Sequence, residues 1–498
     1  MLFTHDATFY ANKIKKLEYS VSELVEAALT NIEILNPKLN AVTHIQATEA
    51  RSIAAHYDEQ LIGLEFEEIE KFPPFYGVPI LLKDLGQSEA GQPDSSGAHL
   101  MKDFIAKETN NFVQKILDAG FIVVGRTNVP EFGFKNESDS VLFGSVHSPF
   151  SNDLNAGGSS GGAAAALKAG IVPIVTASDG GGSIRIPASF NGLIGLKTSR
   201  GRIPVGPGGY RGWQGASVHF ALTKSVRDTW TLLKAMQVEQ FDAPFVLPTI
   251  KEDTLLPLSR PLKLAYSFDS PIGGKVSTDA KNTVIRAKEA LERLGHQLIE
   301  KTPQTDGIRA MQTYYKVNAV ETAAMMESFE NLFNRSMQLD DMETMSWALY
   351  RSGLKVSGVD YSQVLSYWDD LTAEMEAFFE EYDALILPST NGPAFPHHHF
   401  KSSAQLTEKL ENIDDFTAVE QQNLIWEMFS QSLDYTPFTQ QQNLTGQPAI
   451  SLPLYENEAG LPVGTQIWTR KGAEMLLLQI AQQLEAEGLL KASILPLY

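Results

Sequence analysis

The stretch GGSSGG, Gly157 to Gly162, decides how this chain is read, together with SDGGGSIRIPAS, Ser178 to Ser189, a short way downstream. An isolated glycine-serine hexamer is ordinarily a flexible spacer between domains. This one runs directly into AAAALKAG, Ala163 to Gly170, a strong helix former with Gly170 placed to end it. The glycines therefore read as a tight approach to a helix N-terminus, where free backbone amides point outward. Phosphate binding is a weaker reading, because neither loop is followed by the Lys-Ser or Lys-Thr pair of a P-loop and neither fits the dinucleotide fingerprint. GGSSG also matches G-x-S-x-G, which would make Ser159 the nucleophile of a strand-to-helix elbow. What precedes it, HSPFSNDLNA, His147 to Ala156, is polar and contains proline, unlike a strand. The other hydrolytic reading puts the nucleophile at Ser183. Three consecutive glycines, Gly180 to Gly182, leave their N–H groups unscreened by any side chain, as a site for a developing oxyanion requires.

A serine nucleophile needs a base. The ten histidines show no telling placement, and the densest group, His397 to His399, reads as a solvated turn or an incidental metal contact rather than as the base. Lys83, in GVPILLKDL at the end of an apolar run, is the better candidate, although a lone lysine at a strand end is ordinarily a solvated charge.

Composition narrows the classes. The chain has 498 residues, 43% hydrophobic and 20% charged, which is ordinary for a soluble globular protein and long enough for a large core. A formal charge of −20 argues against a broad basic surface for nucleic acid or anionic membrane, so neither is expected as a direct partner. The chain contains no cysteine, which removes disulfides, thiolate metal sites and every cysteine nucleophile. The N-terminal residues lack an apolar core of signal-peptide length, and no apolar run reaches the roughly 18 residues of a membrane helix, so a cytoplasmic location is expected.

Apolar periodicity sketches the architecture. Ser20 and Glu23 have capping-box spacing, and Val21, Leu24, Val25, Ala28, Ile32 and Leu35 recur at helical intervals until Asn36 and Pro37, so residues 1–72 read as a helical segment. In the glycine- and alanine-rich residues 75–230, the runs Val78 to Leu82, Phe121 to Gly125 and Ile171 to Val175 are apolar at every position, as suits strands covered on both faces. Further strands are expected at Lys263 to Ser267, His296 to Glu300, Ala384 to Ser389 and Ala449 to Leu454, with a helix over Ser277 to Leu294. Strands this dispersed imply one α/β domain over residues 1–498, a central mixed β-sheet flanked by helices on both faces, with 231–498 continuing the same domain.

Three motifs in order resemble the amidase signature hydrolases: GVPILLKD (Gly77 to Asp84), AGGSSGGAAAA (Ala156 to Ala166) and DGGGSIRIPASFNGLIGLKTSRGR (Asp179 to Arg202). VVGRTNVPEFG, Val123 to Gly133, matches the segment that family places between the first two. The resemblance implies a Ser-cisSer-Lys triad, with Ser183 as nucleophile, Ser159 as bridging serine after a cis peptide bond, and Lys83 as base. It further implies the amides of Gly180, Gly181, Gly182 and Ser183 as oxyanion hole, and Ser160, Asp179 and Arg185 as supporting residues. The substrate would be a small-molecule amide, and the relay needs no metal and no organic cofactor. A base working near neutral pH requires the lysine pKa to fall about two to three units, which burial can supply.

Within the family, the stretches around Lys83 and NLTGQPAISLPL resemble the bacterial branch that contains hydrolases of the cyclic 6-aminohexanoate dimer. The glutaminase component of tRNA-dependent amidotransferases is the alternative enzyme, but it usually reads SIRQPA where this chain has SIRIPA, with Ile186. A catalytically inactive binding protein on the same fold is the third reading. Specificity is expected from the segment after Asn128 and from the helical region between Thr302 and Tyr382, where Tyr314, Tyr315, Met325 and Met326 read as core.

Overall fold

In the computed structural model, which describes residues 2–495 and 497, strands from the whole length of the chain join one sheet. They are β1 (Val42–Ile45), β2 (Pro79–Lys83), β3 (Ile122–Thr127), β4 (Val175–Asp179), β5 (Ile194–Lys197), β6 (Val218–Thr223), β7 (Lys263–Tyr266), β8 (Gln297–Glu300), β9 (Ala384–Pro388), β10 (Ala449–Glu456) and β11 (Pro462–Trp468). The 11-stranded order is β1-β3-β2-β4-β6-β5-β10-β11-β9-β7-β8. Pairings β3-β2, β2-β4, β9-β7 and β7-β8 are parallel and the rest antiparallel, so the sheet is mixed. Every residue of β2, β3, β4, β5, β9 and β11 is buried, because helices cover both faces.

Local chemistry explains most elements. The capping box of Ser20 and Glu23 starts the helix Val21–Leu39, and Ser277 caps the helix Thr278–Arg293. The first of these helices does not stop at Pro37 as the sequence suggests. It continues to Leu39 and closes on Asn40 in the left-handed conformation, with the Asn36 side chain taking up the amides of Ala41 and Val42. Two further expectations are corrected. The N-terminal segment is not wholly helical, since Val42–Ile45 supplies edge strand β1. The run Ile171 to Val175 is not a strand either. Its first residues form the turn after the helix Gly161–Lys168, and the strand is the more polar Val175–Asp179, which uses Thr176, Ser178 and Asp179 as bonding groups. Strands β5, β6 and β11 lie outside the runs expected from the sequence.

The topology positions the site. β2 and β4 run parallel, with Leu81 opposite Val175, so Lys83 and Asp179 leave the sheet at the same carboxyl edge, where ligands bind in α/β sheets. The long helix Gly307–Phe333 and the helices Gly358–Glu381 and Ala418–Tyr435 build a second apolar cluster beside that edge, with Tyr314, Tyr315, Trp368 and Phe429 among its members. Among the described residues no helix is long and apolar enough to cross a membrane.

Candidate active site

Lys83 ends β2 fully buried, and the Gln87 and Thr176 side chains accept its backbone N–H at 2.9 and 3.0 Å. Its Nζ lies 2.8 Å from Ser159 Oγ and 2.9 Å from Ser178 Oγ. Burial pushes the Lys83 pKa down to about 7, against the opposing pull of the Asp179 carboxylate. The amine is thus poised between its two protonation forms near neutrality.

The loop carrying Ser159 has glycine where nothing larger fits. A Cβ on Gly158 would stand 2.6 Å from Glu137 N, and one on Gly162 would stand 2.5 Å from Ala41 O. The Gly158–Ser159 peptide is cis. Ser138 Oγ lies 3.1 Å from Gly157 O and 3.3 Å from Ser159 O, and it accepts the Gly161 amide at 3.0 Å. Ser160 Oγ donates to Ser178 O at 3.3 Å, tying the loop to β4.

Asp179 organises the second loop. Arg185 meets it through two hydrogen bonds, Nε to Oδ2 at 2.9 Å and Nη2 to Oδ1 at 2.8 Å, and both side chains are fully buried. Burial alone would raise the Asp179 pKa. The Arg185 charge and hydrogen bonds, with help from Lys197 and Asn443, override it and hold the carboxyl at about 2. The remaining Arg185 donors reach Gln442 (3.1 Å), Gln466 (2.7 Å) and Asn443 (2.7 Å). Asp179 also accepts the amides of Gly182 at 2.7 Å and Ile184 at 3.1 Å. This corrects the expected oxyanion hole, because the Gly182 amide is committed to the carboxylate. Those of Gly180, Gly181 and Ser183 have no acceptor among the described residues.

Ser159, Ser178, Gly180, Gly181 and Ser183 all face one cavity of about 840 Å³. The Ser183 hydroxyl has no hydrogen-bond partner among the described residues. Apolar walls dominate, with Leu85, Phe132, Phe134, Trp213, Ile186 and Phe329 among them. Tyr314, Tyr315 and Met325 also line it while packing in the helical clusters, whereas Met326 is wholly core. His219 lines the cavity too, but burial and then the Lys83 charge push it down to about 4, so it is neutral at pH 7, and its polar neighbour is Gln87 at 3.4 Å.

The structure thus brings Lys83, Ser159, Ser160, Asp179, Ser183 and Arg185 together. Sequence reasoning missed Ser138, Ser178, Gln442, Asn443 and Gln466. Ser178 and Asn443 open two of the quoted stretches and Gln442 precedes one, with nothing to mark their roles. Nothing in the local sequence distinguishes Ser138 or Gln466.

Comparison with known proteins supplies the family and the fold. The Amidase family profile matches residues 23–478. The chain is 35% identical over 482 residues to a lipoamidase of Enterococcus faecalis, covering 95% of this chain and 62% of that protein, so it spans under two thirds of that relative's length. It is 31% identical over 490 residues to the 6-aminohexanoate-cyclic-dimer hydrolase of Paenarthrobacter ureafaciens, covering 96% and 94% of the two chains. A solved structure of 6-aminohexanoate cyclic dimer hydrolase with substrate superposes with a TM-score of 0.87 at 30% identity, covering 98% of this chain and 97% of that one. Fold and relatives define an amide-hydrolysing enzyme. The chain belongs to the amidase signature family.

Proposed function

We propose that the protein hydrolyses a carboxylic amide with an apolar acyl group to carboxylate and amine or ammonia, through an acyl-enzyme on Ser183. The observation that carries this reading is Lys83 Nζ at 2.8 Å from Ser159 Oγ, with a pKa near 7, in a cavity shared with Ser183. Neutral Lys83 takes the Ser159 proton while Ser159 takes that of Ser183, and Ser183 Oγ adds to the amide carbonyl. The uncommitted amides of Gly180, Gly181 and Ser183 are the donors available to the oxyanion. As the C–N bond breaks, the proton returns through Ser159 to the leaving nitrogen. Water then repeats the relay on the ester. The Ser183 hydroxyl keeps no hydrogen bond to the described residues, so the reading places its contact with Ser159 in the Michaelis complex, where catalytic hydrogen bonds commonly tighten.

The apolar walls and the names of the two relatives support amides with an aliphatic acyl portion. The test is a hydrolysis panel on the purified protein alone: lipoamide, short aliphatic and aryl amides, C-terminal peptide amides, cyclic lactam dimers and glutamine. The expected result is turnover of an apolar amide together with an acyl adduct that peptide mapping locates on Ser183. Glutamine turnover that needs a second protein, or an adduct elsewhere, overturns the reading.

A further inference from the structure

The histidine run at residues 397–399 and the segment preceding GGSSGG meet outside the cavity floor. Glu137, Asp139 and His398 each offer a ligand atom, and these atoms all lie within 4.8 Å of one another. Glu137 is 8% exposed, and its Oε2 is buried without a hydrogen-bond partner. His398 closes the cluster from the solvent side. One ammonium, Lys135, stands 2.9 Å from Asp139 and 2.6 Å from Glu343, and no ion pair reaches Glu137 among the described residues.

We propose that Glu137, Asp139 and His398 bind a divalent first-row cation, a site separate from the serine-lysine chemistry. Two carboxylates and one imidazole suit ions such as Zn²⁺ or Mn²⁺. A cation would give the buried Glu137 oxygen a partner. The site is structural in consequence. Glu137 N is the atom that a Cβ on Gly158 would strike, and Ser138 bonds the loop on either side of Ser159, so a cation here stiffens the support under the bridging serine. A proton held between the two carboxyls is the competing way to relieve the crowding. Burial, then the Asp139 charge, already lifts the Glu137 pKa to about 8.

The experiment titrates untagged, chelator-stripped protein with Zn²⁺ and with Mn²⁺ by calorimetry, and follows Tm in parallel. One equivalent is expected to bind and raise Tm. His398→Ala, at an exposed position, and the near-isosteric Glu137→Gln should each weaken binding by about tenfold or more, while His399→Ala leaves it unchanged. Absence of uptake of either ion, or uptake indifferent to both His398→Ala and Glu137→Gln, overturns the proposal. So does a protonated-carboxyl infrared band that titrates with Glu137 and ignores added cation.

Discussion

Lys83 Nζ and Ser159 Oγ stand 2.8 Å apart across 76 residues of chain, inside a site closed to water on the lysine side. A buried amine with a hydroxyl as its nearest partner has little to stabilise its charge, which is why its pKa falls to about 7.

The first expectation concerns pH and activity. If neutral Lys83 is the base, kcat/KM should rise with pH through an apparent pKa near 7. Lys83→Met should abolish that limb along with the activity. A profile flat from pH 5 to 9 under conditions where chemistry limits the rate would contradict the assignment.

The same shift has a stability signature. The folded pKa lies below the unfolded value of 10.5, so between about pH 7 and 10.5 the unfolded chain binds more protons. Stability should therefore gain a contribution of up to roughly 1.4 kcal/mol per pH unit over that window, and the cost of the buried ammonium is full below it. Denaturant titrations should show this component in the wild type and not in Lys83→Met.

Ser183→Ala removes a hydroxyl that no described residue bonds. Folding stability should change by less than about 0.5 kcal/mol. Turnover should fall by roughly 10⁴-fold or more, since the relay loses its attacking atom. Steady-state assays with chemical denaturation on the same preparation separate the two effects.

Asp179→Asn removes the charge partner of a fully buried guanidinium and replaces one of the two acceptor oxygens facing Gly182, Ile184 and Arg185 with a donor NH2. A loss of about 3–5 kcal/mol is expected at pH 7. Because the wild-type carboxyl is held at about 2 against 3.8, its contribution is complete above pH 3.8 and disappears as pH falls through about 2. The variant should lack this acid limb in urea titrations.

Met325 forms part of the cavity wall on the long helix Gly307–Phe333, away from the Lys83–Ser159 pair. Met325→Trp should narrow the space for a long acyl chain while sparing a short one. The expected outcome is about a tenfold or greater fall in kcat/KM for lipoamide relative to a short aliphatic amide. Equal changes for both substrates would remove the wall from the account of specificity.

Much of this was legible in one dimension because it depends on local chemistry. The glycines of the two loops, the caps at Ser20 and Ser277, and the uniformly apolar runs of β2 and β9 state their own conformations, since backbone freedom, capping and burial pattern act over a few residues. The motif order also singles out Lys83, Ser159 and Ser183 without any distance in hand. Tertiary structure decided what proximity decides. It placed the polar Val175–Asp179 in the sheet where the apolar run before it was expected, because parallel pairing with β2 buries Thr176 and Ser178 against Lys83. It also committed the Gly182 amide to Asp179, recruited Gln442, Asn443 and Gln466 to Arg185, and turned Tyr314, Tyr315 and Met325 from plain core into cavity wall. The bonds of Arg185 to Gln442, Asn443 and Gln466 join residues 257 to 281 positions apart, and those of Lys83 to Thr176 and Ser178 span 93 and 95; such pairings leave no periodicity for a sequence to display.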